Sequence, residues 1–261
     1  MSFIERGYTL SVIFSARELA YGYPGQPRVL DAVDFCVEAG ERVGIIGPNG
    51  AGKTTFFLLG CGIIKPLSGV LEIMGRPVKP GGFYPEVGMV FQHTSDQLIC
   101  PSVREDIAFG PQNMGLSGEE IEQRVLDAAQ TVCVDGLLNR PPHQLSSGEQ
   151  RLVSLAGILA MQPHLLILDE PTSDLDMRYR RRLIGLLKSM EDKTMLIASH
   201  DLEFVLEVCS RVVLLEGGRF QADGRPDAVM SDRTLMENHG LEVPHSLVTA
   251  WHHHRGQAAD C

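Results

Sequence analysis

Gly47-Pro48-Asn49-Gly50-Ala51-Gly52-Lys53-Thr54-Thr55 decides how the rest of this sequence is read. The stretch fits G-x-x-x-x-G-K-[ST], with Gly47, Gly52, Lys53 and Thr54 at the defining positions. The apolar run Val43-Gly44-Ile45-Ile46 before it is short enough for a buried strand. Phe56-Phe57-Leu58-Leu59 after it continues a helix. That strand–loop–helix context separates a phosphate-binding loop from a plain glycine-rich turn. Its glycines let successive backbone N–H groups turn inward around phosphate oxygens. Lys53 then reaches the terminal phosphates, and the Thr54 hydroxyl is placed to ligate Mg²⁺.

The 261 residues suffice for one large domain, or one domain with a small appendage. With 44% hydrophobic and 21% charged residues, the balance is that of an ordinary globular chain. A net charge of −10 argues against a protein that grips a nucleic-acid backbone. Cys36, Cys61, Cys100, Cys133, Cys209 and Cys261 form no C-x-x-C pair, so reduced thiols are expected rather than a zinc site or disulfide framework. No run of about 18 apolar residues is present to span a membrane. Tyr8 to Ala16 is only mildly apolar and reads as the lead-in to a first strand, not a signal peptide. The expectation is a cytosolic protein that meets a membrane only through partners.

Between Val12 and Val43 short β runs are broken by turns, with Tyr21-Gly22-Tyr23-Pro24-Gly25 as a turn cluster. The helix after the phosphate loop is expected to close at Lys65-Pro66. Strands near Val70 to Met74 and Val87 to Phe91 lead to Gln92. A helical insertion, about residues 93–160, follows. Within it Ser117-Gly118-Glu119-Glu120 predicts a capping box, and Leu152, Leu155, Ala156, Leu159 and Ala160 recur at helical spacing. The α/β frame resumes with the strand Leu165 to Leu168, then Asp169-Glu170. A helix over Arg178 to Met190 and a strand over Met195 to Ala198 come next, before Ser199-His200-Asp201. Val212 to Leu215 with Gly217-Gly218 predicts a hairpin. This alternation predicts an α/β fold with a mostly parallel sheet covered on both faces, whose ligands sit at the carboxyl ends of strands.

Hydrolysing a nucleoside triphosphate needs a carboxylate near Mg²⁺ and a second group to orient or deprotonate water. Asp169 and Glu170, adjacent at a strand end, point opposite ways and suit those separate roles. His200 as a neutral imidazole could bond a γ-phosphate oxygen or the attacking water, and Gln92 offers an amide oxygen to Mg²⁺ or water. Ser146 to Glu149 open a helix, where the choice lies between an anion site and an ordinary serine cap. The run Arg178-Tyr179-Arg180-Arg181-Arg182 reads as a solvated helix face.

In their order, the phosphate loop, Gln92, Leu145-Ser146-Ser147-Gly148-Glu149, Leu165 to Glu170, Ser173-Asp174-Leu175-Asp176 and His200 resemble an ABC-transporter ATPase over about residues 12–224. The resemblance implies a P-loop NTPase of ABC type, with a helical subdomain and an antiparallel β subdomain, over residues 1–224. It also implies Mg²⁺-dependent ATP hydrolysis in a head-to-tail dimer, either of two copies or with a second ABC ATPase. Ser146 and Gly148, within the ATP-binding stretch Ser146-Ser147-Gly148-Glu149, would contact the γ-phosphate held by Gly47 to Thr55 of the other subunit. By the same resemblance Tyr23 stacks on adenine and Glu170 is the catalytic base. Asp169, Thr54 and Gln92 attend Mg²⁺, Lys53 and Gln92 assist catalysis, and His200 is the switch histidine. Ser173 to Asp176 would couple the two sites. Ser147 and Glu149 stand where the family usually has glycine and glutamine, changes that could slow turnover without abolishing it.

Phe91-Gln92-His93-Thr94-Ser95-Asp96-Gln97-Leu98 and Glu105-Asp106-Ile107-Ala108-Phe109-Gly110-Pro111 look like the ATPases of energy-coupling-factor importers, particularly the cobalt/nickel branch. His93-Thr94-Ser95 departs from that branch's Asn-Pro-Asp. The likeness implies a transmembrane coupling subunit against residues 92–111, a substrate-specificity subunit, no nucleic-acid partner, and a place on the cytoplasmic side of the cell membrane. Cobalt or nickel is the expected cargo, with a vitamin such as biotin as the rival. A non-transport ABC ATPase of DNA repair or translation would bring coiled coils, tandem cassettes or basic surfaces, and none is visible in the sequence. Residues 225–261 are read as an extension with a His-rich tail. There His239, His245 and His252-His253-His254 either bind Ni²⁺ or Co²⁺ or form a plain polar tail.

Overall fold

The computed structural model describes residues 12–248. Strands β1 (Val12–Tyr23) and β2 (Gln26–Glu38) form a long hairpin. Its turn is only Pro24-Gly25: Tyr21, Gly22 and Tyr23 stay in the strand because Tyr23 pairs with Gln26 across a two-residue loop. β4 (Ser68–Ile73) pairs with the other edge of β1, and the short β5 (Arg76–Pro77) completes a four-stranded antiparallel sheet.

The second sheet has six strands. Their order is β10 (Arg219–Gly224), β9 (Arg211–Glu216), β3 (Arg42–Ile46), β8 (Thr194–Ala198), β7 (Leu165–Asp169) and β6 (Val87–Val90). All pairings are parallel except that of the edge strand β10. The central strands are unbroken apolar runs because both faces are covered. Val43 and Ile45, Leu165 and Ile167, and Leu196 and Ala198 face one core, while Ile46, Leu166, Leu168, Met195 and Ile197 face the other. The first core is closed by α1 (Lys53–Gly60) and the antiparallel sheet, where Phe14, Phe35, Phe56 and Phe220 make ring contacts of 5.1 to 6.4 Å.

The other core is closed by α5 (Met177–Ser189), α6 (Leu202–Val208) and the helices inserted between β6 and β7. These are α2 (Val103–Asn113), α3 (Gly118–Thr131) and α4 (Ser147–Ala160). Beyond β10, α7 (Pro226–Ser231) and α8 (Arg233–Asn238) fold back on this core, burying Met230 and Met236, and His239 pairs with Glu216. Among the described residues no helix is long and apolar enough to cross a membrane.

Three local expectations give way to the structure. Helix α1 ends at Gly60, short of Lys65, because the chain turns through Gly62 at φ +69° and the Ile63 N–H returns to the Leu58 carbonyl at 2.9 Å. Ser117 caps α3 through the Glu120 N–H, but the Glu120 carboxylate turns to Arg124 at 2.9 Å, so the box is half formed. The arginine run is not a uniformly solvated face. Arg180 grips Asp201 at 2.6 and 3.0 Å, and Arg182 donates to the carbonyls of Val132 and Cys133 at 2.7 Å, leaving Arg178 and Arg181 exposed.

Candidate functional site

Because β3, β6, β7 and β8 run parallel, their carboxyl ends open on one edge of the sheet. The chain leaves those ends through the Gly47 loop, Gln92, Glu170 and His200. Gln92, Asp169, Glu170 and His200 join Tyr23 and residues Asn49 to Thr55 around one cleft of about 490 Å³. Helix α1 starts there at Lys53 with no side chain capping it and no acidic residue in its first turn, so its leading N–H groups are left for an anion.

Lys53 is 7% exposed, and its Nζ donates to the carbonyls of Gly47 and Pro48 at 2.8 and 3.1 Å. Burial pulls its pKa below the ordinary lysine value, against the opposing pull of Glu170 and Asp169. Asp169 is 2% exposed; its Oδ2 accepts the Thr54 hydroxyl at 2.7 Å, while Oδ1 is buried without a hydrogen-bond partner. Burial pushes this carboxyl above its usual range, and the Thr54 hydrogen bond works against that. An orphaned buried carboxylate oxygen beside a hydroxyl, with the Gln92 amide in the same cleft, is a set of hard oxygen donors. These residues fit Mg²⁺.

Glu170 is buried at the end of β7 with a left-handed backbone, φ +47°, and its N–H donates to the Ala198 carbonyl at 2.8 Å. Its Oε2 accepts the His200 N–H at 3.1 Å and lies 2.7 Å from His200 Nδ1. The imidazole itself is 65% exposed. The carboxylate is therefore tethered between two strands while the ring opens to solvent. Tyr23 lines the cleft with its hydroxyl 3.3 Å from Thr55 Oγ1, and Tyr21 packs edge-on behind it at 5.0 Å.

Ser146, Ser147, Gly148 and Glu149 do not line this cleft. They start α4, where the Ser146 N–H and hydroxyl both donate to Glu149 Oε2, at 2.8 and 2.9 Å, and the Glu149 N–H donates back to Ser146 Oγ. This is a complete capping box. The Ser146 backbone hydrogen bond holds the Glu149 carboxyl below its usual range. The Ser147 hydroxyl donates to the Asp174 carbonyl at 3.3 Å. Gly148 lies against Tyr179 so closely that a Cβ would come within 2.4 Å of the ring. The phosphate loop and the Ser146 turn thus form two separate polar surfaces on one chain.

Two features escaped the sequence reading. Arg180 and Asp201 pair beside His200, a partnership hidden by 21 residues of separation. Arg151 is 4% exposed inside α4, where a single basic residue among apolar ones gives no sign of what it holds.

The ABC transporter family model matches residues 30–173. A putative ABC transporter ATP-binding protein of Synechocystis is 52% identical over 231 residues, covering 88% of this chain and 81% of its own length. The energy-coupling factor transporter ATP-binding protein EcfA of Methanothermobacter thermautotrophicus is 43% identical, covering 87% of this chain and 76% of its own. Among solved structures CbiO1 of Clostridium perfringens, described as part of the ABC transporter complex CbiONQ, superposes with a TM-score of 0.77 at 33% identity. That match covers 87% of this chain and 94% of CbiO1. On the family model and these relatives, the chain belongs to the ABC transporter family and is one of its ATP-binding domains, an ATPase.

Proposed function

We propose that this chain energises an energy-coupling-factor importer for cobalt or nickel ions. The observation that supports this reading most is the likeness to both EcfA and CbiO1 across almost nine-tenths of the chain. In it, residues 1–224 are the ATPase domain, with residues 93–160 as its helical subdomain, and 225–261 are an extension. ATP lies in the cleft with its adenine on Tyr23 and its phosphates over the start of α1, where Lys53 exchanges two loop carbonyls for phosphate oxygens. Thr54 and Asp169, with Gln92 nearby, hold Mg²⁺, which neutralises phosphate charge when bound. Glu170 accepts the proton of the attacking water, its carboxylate held in place by the His200 N–H. Ser146 and Gly148 of a second ATPase subunit close the site from the far side.

The membrane coupling subunit docks on the groove of about 260 Å³ beside α2, where Phe83, Ile99 and Phe109 are exposed. That groove borders residues 92–111. Ion selection is assigned to a membrane subunit: among the described residues no three His, Cys, Asp or Glu side chains cluster to hold a metal ion. His239 is engaged by Glu216, and His252-His253-His254 lie outside the described residues. Affinity capture of the tagged chain from native membranes, followed by uptake assays in proteoliposomes, tests the reading. Co-purified coupling and specificity subunits with ATP-dependent cobalt or nickel uptake support it. Biotin uptake would move the cargo to a vitamin, and stimulation by DNA or ribosomes without any membrane partner would overturn the importer assignment.

A further inference from the structure

Arg151 lies on α4, two residues beyond the Ser146–Glu149 box, and its guanidinium is buried. One terminal nitrogen donates to the Phe91 carbonyl at 2.7 Å. The other donates to the Gln92 carbonyl at 2.7 Å and to the Ser173 carbonyl at 3.5 Å. Those three carbonyls belong to two segments that leave the paired strands β6 and β7: the one with Gln92, and the turn after Glu170. Burial weighs against the charge on Arg151, and Asp174, Asp169 and Glu170 offset part of that penalty. A buried guanidinium whose terminal nitrogens end on backbone carbonyls, with no side-chain ion-pair partner among the described residues, fixes main chain rather than binding ligand.

We propose that Arg151 is a positioning residue for ATP hydrolysis, clamping the Gln92 loop and the Ser173 turn to the helix that starts at Ser146. The proposal rests on the roles given above to Gln92 and Ser146. When Ser146 meets the phosphates of the opposite subunit, any shift of α4 passes through Arg151 to the backbone of Gln92. The Gln92 side chain then enters or leaves the Mg²⁺ environment with the helix. Arg151 never touches nucleotide; it acts through where it puts Gln92.

The test is a double-variant cycle in the full chain, alone and with its membrane partners, using Arg151→Met, Arg151→Lys and Gln92→Ala. Arg151→Met should lower kcat by about tenfold or more and raise the Mg²⁺ concentration for half-maximal rate. Its affinity for a fluorescent ATP analogue should stay within about threefold of the parent. Arg151→Lys, which keeps the charge but lacks the planar fork that spans both segments, should recover part of kcat. In the Gln92→Ala background, Arg151→Met should add less than about threefold. Multiplicative losses in the double variant, an unchanged Mg²⁺ requirement, or turnover that simply tracks the folded fraction by circular dichroism would each overturn the proposal. If Gln92→Ala and Glu170→Gln both turn over normally, the reading of the site itself fails, a result distinguishable from failure of the clamp alone.

Discussion

Asp169 is asked to be ionised for Mg²⁺ in a place that disfavours its charge. Its folded pKa is raised, so the fold favours the protonated form. That stabilisation is fully present below the ordinary value of 3.8 and is lost as pH rises through the folded value. At neutral pH the ionised carboxylate therefore weakens the nucleotide-free fold. Asp169→Asn should raise Tm by about 2–4 °C for each kcal/mol regained, and the gap to the parent should narrow as the melt is repeated at lower pH. The same variant should lose Mg²⁺-dependent hydrolysis. Glu170→Gln keeps the tether to His200 but removes the base, so phosphate release should slow about 10²–10⁴-fold with nucleotide binding retained. Lys53→Ala should abolish nucleotide binding or hydrolysis in the same assays; a fully active variant would remove the phosphate-loop assignment.

At the scale of elements, two S-x-x-E patterns with the same spacing behave differently. Glu120 has Arg124 one turn on and is drawn to it, whereas Glu149 has Val153 there and turns back to Ser146. The difference lies outside the four-residue pattern, so the pattern alone misjudged the first box. It also gives Glu149 a local task, with its carboxylate occupied by its own helix start. Ser146→Ala should destabilise the fold by about 1 kcal/mol in a thermal melt, through loss of the cap, and should reduce turnover while sparing ATP binding. Strands β3, β7 and β8 were legible because burial on both faces writes them as short apolar runs. The two residues of β5 and the seven of α6 are too short to display a period, and α7 and α8 are six residues each. Most of the cleft was legible because the phosphate loop, Gln92, Asp169, Glu170 and His200 stand at or just after the ends of apolar strands. Arg151 was not, because its partners are carbonyls, which every residue has.

The whole molecule presents the phosphate loop and the Ser146 turn as separate surfaces, which no sequence pattern could show on its own. If each completes the other's site in a second subunit, the hydrolysis-slowed Glu170→Gln chain should form a dimer with ATP and revert to monomer when ATP is withdrawn. Size-exclusion chromatography with light scattering checks this, and a monomer at saturating ATP would count against the sandwich. The position of Arg151 then has a further consequence. In such a sandwich helix α4 would begin at one nucleotide and, a turn later, hold the loop that serves the other. A dimer assembled from one intact and one Arg151→Met chain should therefore keep about half the parental rate, with the loss confined to the site served by the variant chain's own Gln92. A small molecule wedged under the first turn of α4 would silence both sites from a single contact, without competing with ATP.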